Sequence, residues 1–201
     1  TEFNWALDYF DVMAKDNENL ALWVVNEDGS EQKVSYAEMS RGSNQVANWL
    51  RSQGVRRGDR ILMMLGNEVP LWQTMLASIK LGAVLTPATT LLAPDDLRDR
   101  LDRGQVRHVI VGHTHADKFA SLPGNYTRTT VGGAVAGWQS LEQAYQESIE
   151  FVADGPTLAT DPQLLYFTSG TTSKPKLVLH SQQSYPVGHL STMYWLGLQP
   201  G

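Results

Sequence analysis

The period of apolar positions changes repeatedly along this chain, and each change marks an element. Residues 3–14 place Trp5, Tyr9, Val12 and Met13 at helical spacing, which predicts a helix docked on a core by that face. Residues 21–25 are a short β-prone run, Asn26-Glu-Asp-Gly29 supplies a turn, and residues 33–35 begin the return leg of a hairpin. Ser35-Tyr-Ala-Glu38 has the spacing of a capping box, in which the serine hydroxyl accepts from a first-turn amide while the glutamate reaches back. Met39, Val46 and Leu50 then recur at helical intervals, and Gly54 stands where a left-handed C-terminal cap belongs.

Gly58-Asp59 turns the chain into an apolar strand over 61–65. Pro70 opens a helix through Leu71, Met75 and Ile79 that Gly82 stops, and residues 83–86 form the next strand. Pro94 opens a third helix over 95–103, Gly104 ends it, and a strand follows over 106–111. In that helix Asp96 with Arg100, and Asp99 with Arg103, lie four apart with the acid first, the favourable order. Arg98, Arg100 and Arg103 therefore read as a solvated, internally paired face rather than an anion patch.

From 112 to 155 the pattern weakens to a short helix near 116–121, a strand near 128–131 and a second capping box at Ser140-Leu-Glu-Gln143. His113 and His115, with Asp117 nearby, lack a fourth ligand or a rigid element, so a loop exposing two imidazoles is expected there rather than a metal site. Asp154-Gly-Pro156 is a linker-like turn leading to an apolar, β-prone run over 164–167. A second apolar run covers 177–179, and residues 182–196 are helical in pattern, with Pro186 and Gly188 as candidate interruptions of the first turns. Alternating strands and helices with short glycine-marked joints predict the α/β class, a mainly parallel sheet flanked by helices on both faces.

Composition narrows the function classes. Of 201 residues 42% are hydrophobic and 18% charged, enough to bury a core. Sixteen Lys and Arg against 21 Asp and Glu leave a net charge of −5, which argues against sequence-independent binding to nucleic acid or an anionic membrane. The absence of cysteine excludes disulfides and thiolate metal sites and fits a reducing compartment, so the cytoplasm is expected. Apolar runs such as 61–65 are too short to span a bilayer. The first residue is Thr, and Gly201 follows closely on Leu198-Gln-Pro, so a piece of a larger domain is expected.

The chemistry concentrates in Thr168-Ser-Gly-Thr-Thr-Ser-Lys-Pro-Lys176, between the two apolar runs. Backbone amides and the hydroxyls of Thr168, Ser169, Thr171, Thr172 and Ser173 suit phosphate oxygens, and a lysine supplies charge. Gly170 lets the main chain turn and approach a ligand closely, and Pro175 stiffens the exit so that Lys176 is aimed. It is not the P-loop of common NTPases, which needs Gly, four residues, then Gly-Lys-Ser/Thr opening a helix.

The stretch resembles the phosphate-binding signature of the adenylate-forming enzymes, the superfamily of acyl-CoA synthetases, luciferases and peptide-synthetase adenylation domains. Their pattern, Thr-Ser-Gly-Ser/Thr-Thr-Gly-x-Pro-Lys, fits everywhere but at Ser173, where Gly is usual and a Cβ stiffens the loop. Val34-Ser-Tyr-Ala-Glu-Met39, Gly54-Val-Arg-Arg-Gly-Asp59 and Lys80-Leu-Gly-Ala-Val-Leu-Thr-Pro87 resemble further ordered elements of the superfamily. Phe3-Asn4-Trp5 and the Ala21-Leu-Trp-Val pattern are closest to its medium-chain acyl-CoA synthetase branch.

The resemblance implies that residues 1–201 are the first part of a large AMP-binding domain. It implies an AMP-forming ligase that uses ATP with Mg2+, activates a carboxylic acid, fatty in the nearest branch, and passes the acyl group to coenzyme A. Thr168, Ser169, Thr171 and Thr172 would donate to the ATP phosphates, Gly170 would give the turn, and Ser173 lies within the same loop. Lys176 would be the charged contact, with Lys174 ranked second. The family's adenine motif, ribose-binding Asp and catalytic Lys lie beyond the position of Gly201, so this piece alone is expected to be inactive. The alternatives are an adenylation module loading a carrier protein, a non-catalytic nucleotide-binding or interaction domain, and a hydrolase using Ser169 and Lys176. The last lacks an evident oxyanion hole.

Overall fold

The computed structural model describes residues 1–168 and 174–199. Its first element departs from the expected helix. Trp5–Phe10 is a π-helical turn that runs into a single α-turn, α1 (Asp11–Ala14). The buried side chains are Ala6, Phe10 and Ala14, while Tyr9, Val12 and Met13 are exposed. The cause is the start. Buried Asn4 accepts from Ala6 N and Leu7 N, and its Nδ2 donates to Ile79 O at 2.7 Å, which sets the phase. A turn wider than 3.6 residues then carries Phe10 inward and Tyr9 outward.

The hairpin β1 (Leu20–Val25) and β2 (Glu31–Ser35) is a separate antiparallel sheet. Ser35 forms the expected capping box of α2 (Tyr36–Ser52), accepting from Glu38 N at 3.2 Å while Glu38 accepts from Ser35 N at 2.8 Å. Gly54 adopts φ +94° and lets Val55 N donate to Leu50 O at 3.0 Å, closing the helix end.

Next come β3 (Arg60–Met64), α3 (Val69–Leu81), β4 (Val84–Pro87), α4 (Pro94–Arg103) and β5 (His108–Gly112). A 3-10 helix, His113–Phe119, holds His113 and His115 where a loop was expected. Strands β6 (Thr127–Val131) and β7 (Gln139–Ser140) lead to a second 3-10 helix, Leu141–Gln146. The chain then runs through β8 (Pro162–Thr168) and β9 (Lys176–Ser181) to α5 (Ser184–Leu196). Among the described residues the main sheet has seven strands in the order β7-β6-β5-β3-β4-β8-β9, parallel except for the β8–β9 pair.

Strand side chains alternate between two cores. Ile61 and Met63 pack with Val46, Leu50, Ala77 and Leu81 of α2 and α3. Leu62 and Met64 pack with Leu97, Leu101 and Phe119 on the opposite face. Helices on both faces follow from a central strand that is apolar and buried from Ile61 to Met64.

Gly104 ends α4 as expected; it stays right-handed and Gln105 takes φ +49°, because Val106 N reaches Leu101 O at 3.0 Å with both side chains buried in one core. Two further expectations are corrected. Ser140 forms no capping box. Its hydroxyl instead donates to the Glu142 carboxylate, whose other oxygen accepts from Gly132 N at 2.6 Å. Pro186 and Gly188 do not interrupt α5, since Pro186 sits in the first turn, where amides lack intrahelical partners anyway.

A buried cation ties the N-terminal segment to this frame. Lys80 Nζ, with a fully buried side chain, donates to Asp11 Oδ1 at 2.8 Å, Ser43 Oγ at 2.8 Å and Asn44 Oδ1 at 2.6 Å. Burial pushes the lysine pKa down, and Asp11 opposes that shift. Asp11→Ala removes the only carboxylate paired with this ammonium among the described residues and should destabilise the fold by about 3 kcal/mol, with Lys80→Met added on top recovering part of it in urea titrations.

His108 is buried, with Nδ1 2.8 Å from Thr127 Oγ1 and Nε2 3.3 Å from Asp59 Oδ2. Burial pushes its pKa below 6.5 despite the Asp59 contact. Above that pH both folded and unfolded chains hold it neutral. As pH falls through that value the unfolded chain takes the proton first, so stability drops. Unfolding midpoints at about pH 7 and about pH 5 should differ more for wild type than for His108→Asn.

Candidate functional site

Strand β8 is drawn into the sheet by Leu164 and Leu165, both buried, and pairs with β4 through Leu85 and Leu164. It runs parallel to β4, so its end, Thr168, lies at the carboxyl edge of the parallel strands. Crevices at that edge are where open α/β sheets bind ligands. Strand β9 returns antiparallel to β8, with Leu177, Val178 and Leu179 40%, 37% and 54% exposed on the outermost strand. Thr168 faces Lys176 in the last pair of this ladder, so the predicted phosphate loop closes a β-hairpin.

Of the residues assigned to that loop, Ser169, Gly170, Thr171, Thr172 and Ser173 lie outside the described residues. Thr168, Lys174 and Lys176 are exposed and Pro175 is half-buried, so a hydroxyl and two ammonium groups stand at the base of the turn.

One expectation about α4 changes here. Its acid–arginine pairs form, Asp96–Arg100 at 3.6 Å and Asp99–Arg103 at 3.0 Å, but the face is not merely solvated. The Arg100 side chain is nine-tenths buried, and its guanidinium lies 5.2 Å from the Phe167 ring centroid. Arg103 lies 5.7 Å from the same ring and donates through Nη2 to Pro175 O at 2.9 Å. Both flanks of the loop therefore rest on one helix.

Sequence reasoning missed the aromatic wall beside the hairpin. Tyr166 stacks on Tyr185 at 6.3 Å, with their hydroxyls 3.1 Å apart, and His189 meets Tyr185 edge-on at 4.4 Å. Burial, and after it the hydrogen bond to Tyr185, pushes the Tyr166 pKa up, so the phenol stays neutral. The four-residue spacing of Tyr185 and His189 on a helical pattern was the available signal. This wall bounds a cavity of about 810 Å3 lined by Trp5, Phe10, Met39, Leu76, Tyr166 and Tyr185 among others. Gln163 also lines it, and its buried Oε1 has no hydrogen-bond partner among the described residues.

Among the described residues no group of His, Cys, Asp or Glu could hold a metal ion. No described helix is long and apolar enough to cross a membrane.

The family model of the AMP-binding enzymes matches residues 11–199. This chain belongs to the AMP-binding enzyme family. Among its relatives is the mitochondrial acyl-coenzyme A synthetase ACSM5 of Homo sapiens, 32% identical over 98% of the chain and 36% of that protein. Another is 4-hydroxybutyrate–CoA ligase 1 of Metallosphaera sedula, 31% identical over 98% of the chain and 35% of that protein. The fold is shared with acetoacetyl-CoA synthetase from Streptomyces lividans, at a TM-score of 0.88 and 24% identity over the whole chain and 34% of that structure. The chain thus spans about a third of the length of the proteins it matches. Acyl-CoA synthetases and adenylate-forming ligases are the company this AMP-binding chain keeps in both sequence and fold.

Proposed function

We propose that this chain is the first part of the large domain of an AMP-forming acyl-CoA synthetase, and that its β8–β9 hairpin holds the phosphates of ATP. The observation that carries this is the Thr168–Lys176 pair, which brings the two ends of a hydroxyl- and lysine-rich segment together at the carboxyl edge of an AMP-binding fold. Thr168, Ser169, Thr171 and Thr172 donate to phosphate oxygens, with Ser173 in the same loop; Gly170 lets the backbone approach, Lys176 supplies the charge and Lys174 is its second. The donor set fits the ligand. Hydroxyls and ammonium groups suit a polyanion.

The reaction is a two-step ligation. A carboxylate oxygen attacks the α-phosphorus of ATP, a new P–O bond forms, and the bond to the β-phosphate breaks to release pyrophosphate. The coenzyme A thiol then attacks the acyl carbon, losing its proton, and the carbon–oxygen bond to AMP breaks. In the first step the hairpin orients the β- and γ-phosphates and offsets the charge that collects on them as pyrophosphate leaves. Mg2+ would come with the ATP phosphates that Thr168 and Lys176 would hold, and would help to neutralise their charge. The acid is fatty and the compartment cytoplasmic on this reading. The support is the sequence likeness to the medium-chain branch and the absence of cysteine. The groups that bind adenine and ribose and the catalytic lysine belong to the remaining two-thirds of the relatives' length, so residues 1–201 alone do not complete the reaction.

The test is acid-dependent exchange of label between pyrophosphate and ATP by the full-length polypeptide, across straight-chain and aromatic acids. Exchange should peak at one chain length and fall at least about tenfold in Lys176→Ala. ATP binding with no exchange for any acid would favour a non-catalytic nucleotide-binding role. Acyl transfer to a phosphopantetheinylated carrier but not to coenzyme A would favour a carrier-loading module. Acyl-adenylate formation by the 201-residue chain alone would refute its predicted inactivity.

A further inference from the structure

We infer that Arg103, oriented by Asp99 and backed by Arg100, is a positioning residue for the phosphate hairpin, fixing both strand ends from which the loop springs. This rests on the phosphate-binding reading of that hairpin. Phe167 immediately precedes Thr168, and Pro175 immediately precedes Lys176, the last pair of the ladder. Helix α4 contacts both flanks. Arg103 lies against the Phe167 ring at 5.7 Å on the entering strand and donates to Pro175 O at 2.9 Å on the leaving side.

The arginine itself is held. Asp99 Oδ2 accepts from Arg103 Nη1 at 3.0 Å, so each terminal nitrogen of the guanidinium has its own partner. One turn earlier, buried Arg100 packs on the same ring at 5.2 Å, donates to Asp96 O at 3.2 Å, and has Asp99 at 3.8 Å. With its fork divided between a carboxylate and a backbone carbonyl, Arg103 acts as a clamp and not as a ligand for phosphate.

The hairpin needs such a clamp on its leaving side. Among the described residues strand β9 pairs only with β8, and its middle side chains are exposed, so little apolar burial fixes it. Pro175 has no N–H to add to the ladder, which leaves its carbonyl as the backbone group through which the exit can be held. Lys176 follows directly, so a shift of Pro175 moves the proposed phosphate contact with it.

The experiment measures KM for ATP and for the acid separately in pyrophosphate exchange by the full-length polypeptide. Arg103→Met keeps the stem against Phe167 but loses the fork. It should raise KM for ATP about tenfold while KM for the acid stays within about twofold. Arg103→Lys keeps one donor and should recover part of the loss. If Arg103→Met does not fold, Asp99→Asn leaves the arginine in place with its fork loosened, and a smaller rise in KM for ATP alone is expected. Wild-type exchange with an unchanged KM for ATP in the folded variants, or only a loss of stability or kcat, would overturn the inference and leave the phosphate reading standing. Absence of exchange in the wild type would overturn both.

Discussion

Strand β3 is the constraint on which the rest depends. It is hydrogen-bonded along both edges, to β4 and β5, and its residues 61–64 are buried on both faces. A strand so placed cannot shift by one residue without exchanging its contacts with the two cores, because Ile61 and Met63 face α2 and α3 while Leu62 and Met64 face α4. Parallel neighbours need crossover helices, and the crossovers return every strand in the same direction. The carboxyl ends of the parallel strands therefore gather along one edge, and the turn of the β8–β9 hairpin lies at that edge.

The periphery is held by polar contacts, because it has less apolar surface to bury. The Lys80 ammonium joins α3 to α2 and to Asp11, and through it the N-terminal segment becomes one wall of the apolar cavity. A cation so enclosed is tolerable only with a carboxylate and neutral oxygens around it, which is why Ser43 and Asn44 point inward. The α4 arginines do the same at the hairpin. There Asp96 and Asp99 balance their charge, and Phe167 offers a ring face to both.

Much of this was legible in the order of residues. Pro70 and Gly82 bracket α3, Ser35 and Glu38 open α2, and Gly54 closes it, because these devices act within a single turn of chain. The loop chemistry around Thr168 and Lys176 was equally visible, since nine consecutive residues carried it. Errors arose where a choice was degenerate locally. Residues 3–14 offer two overlapping apolar stripes, and the bond from Asn4 to Ile79, a residue distant in sequence, selected Ala6, Phe10 and Ala14.

The sequence by itself determined the α/β class, the segment order, the superfamily likeness and the position of the turn proposed to bind phosphate. Those follow from short-range periodicity, capping and a contiguous motif. Only the tertiary structure decided that β8 and β9 are antiparallel at the sheet's edge, that Tyr166, Tyr185 and His189 form one wall, and that Arg103 reaches Pro175. These pairings join residues as many as 72 positions apart. The pattern of acids and arginines in α4 was satisfied by pairing within the helix alone. It took the packing of that helix under the hairpin to give Arg100 and Arg103 a second set of contacts.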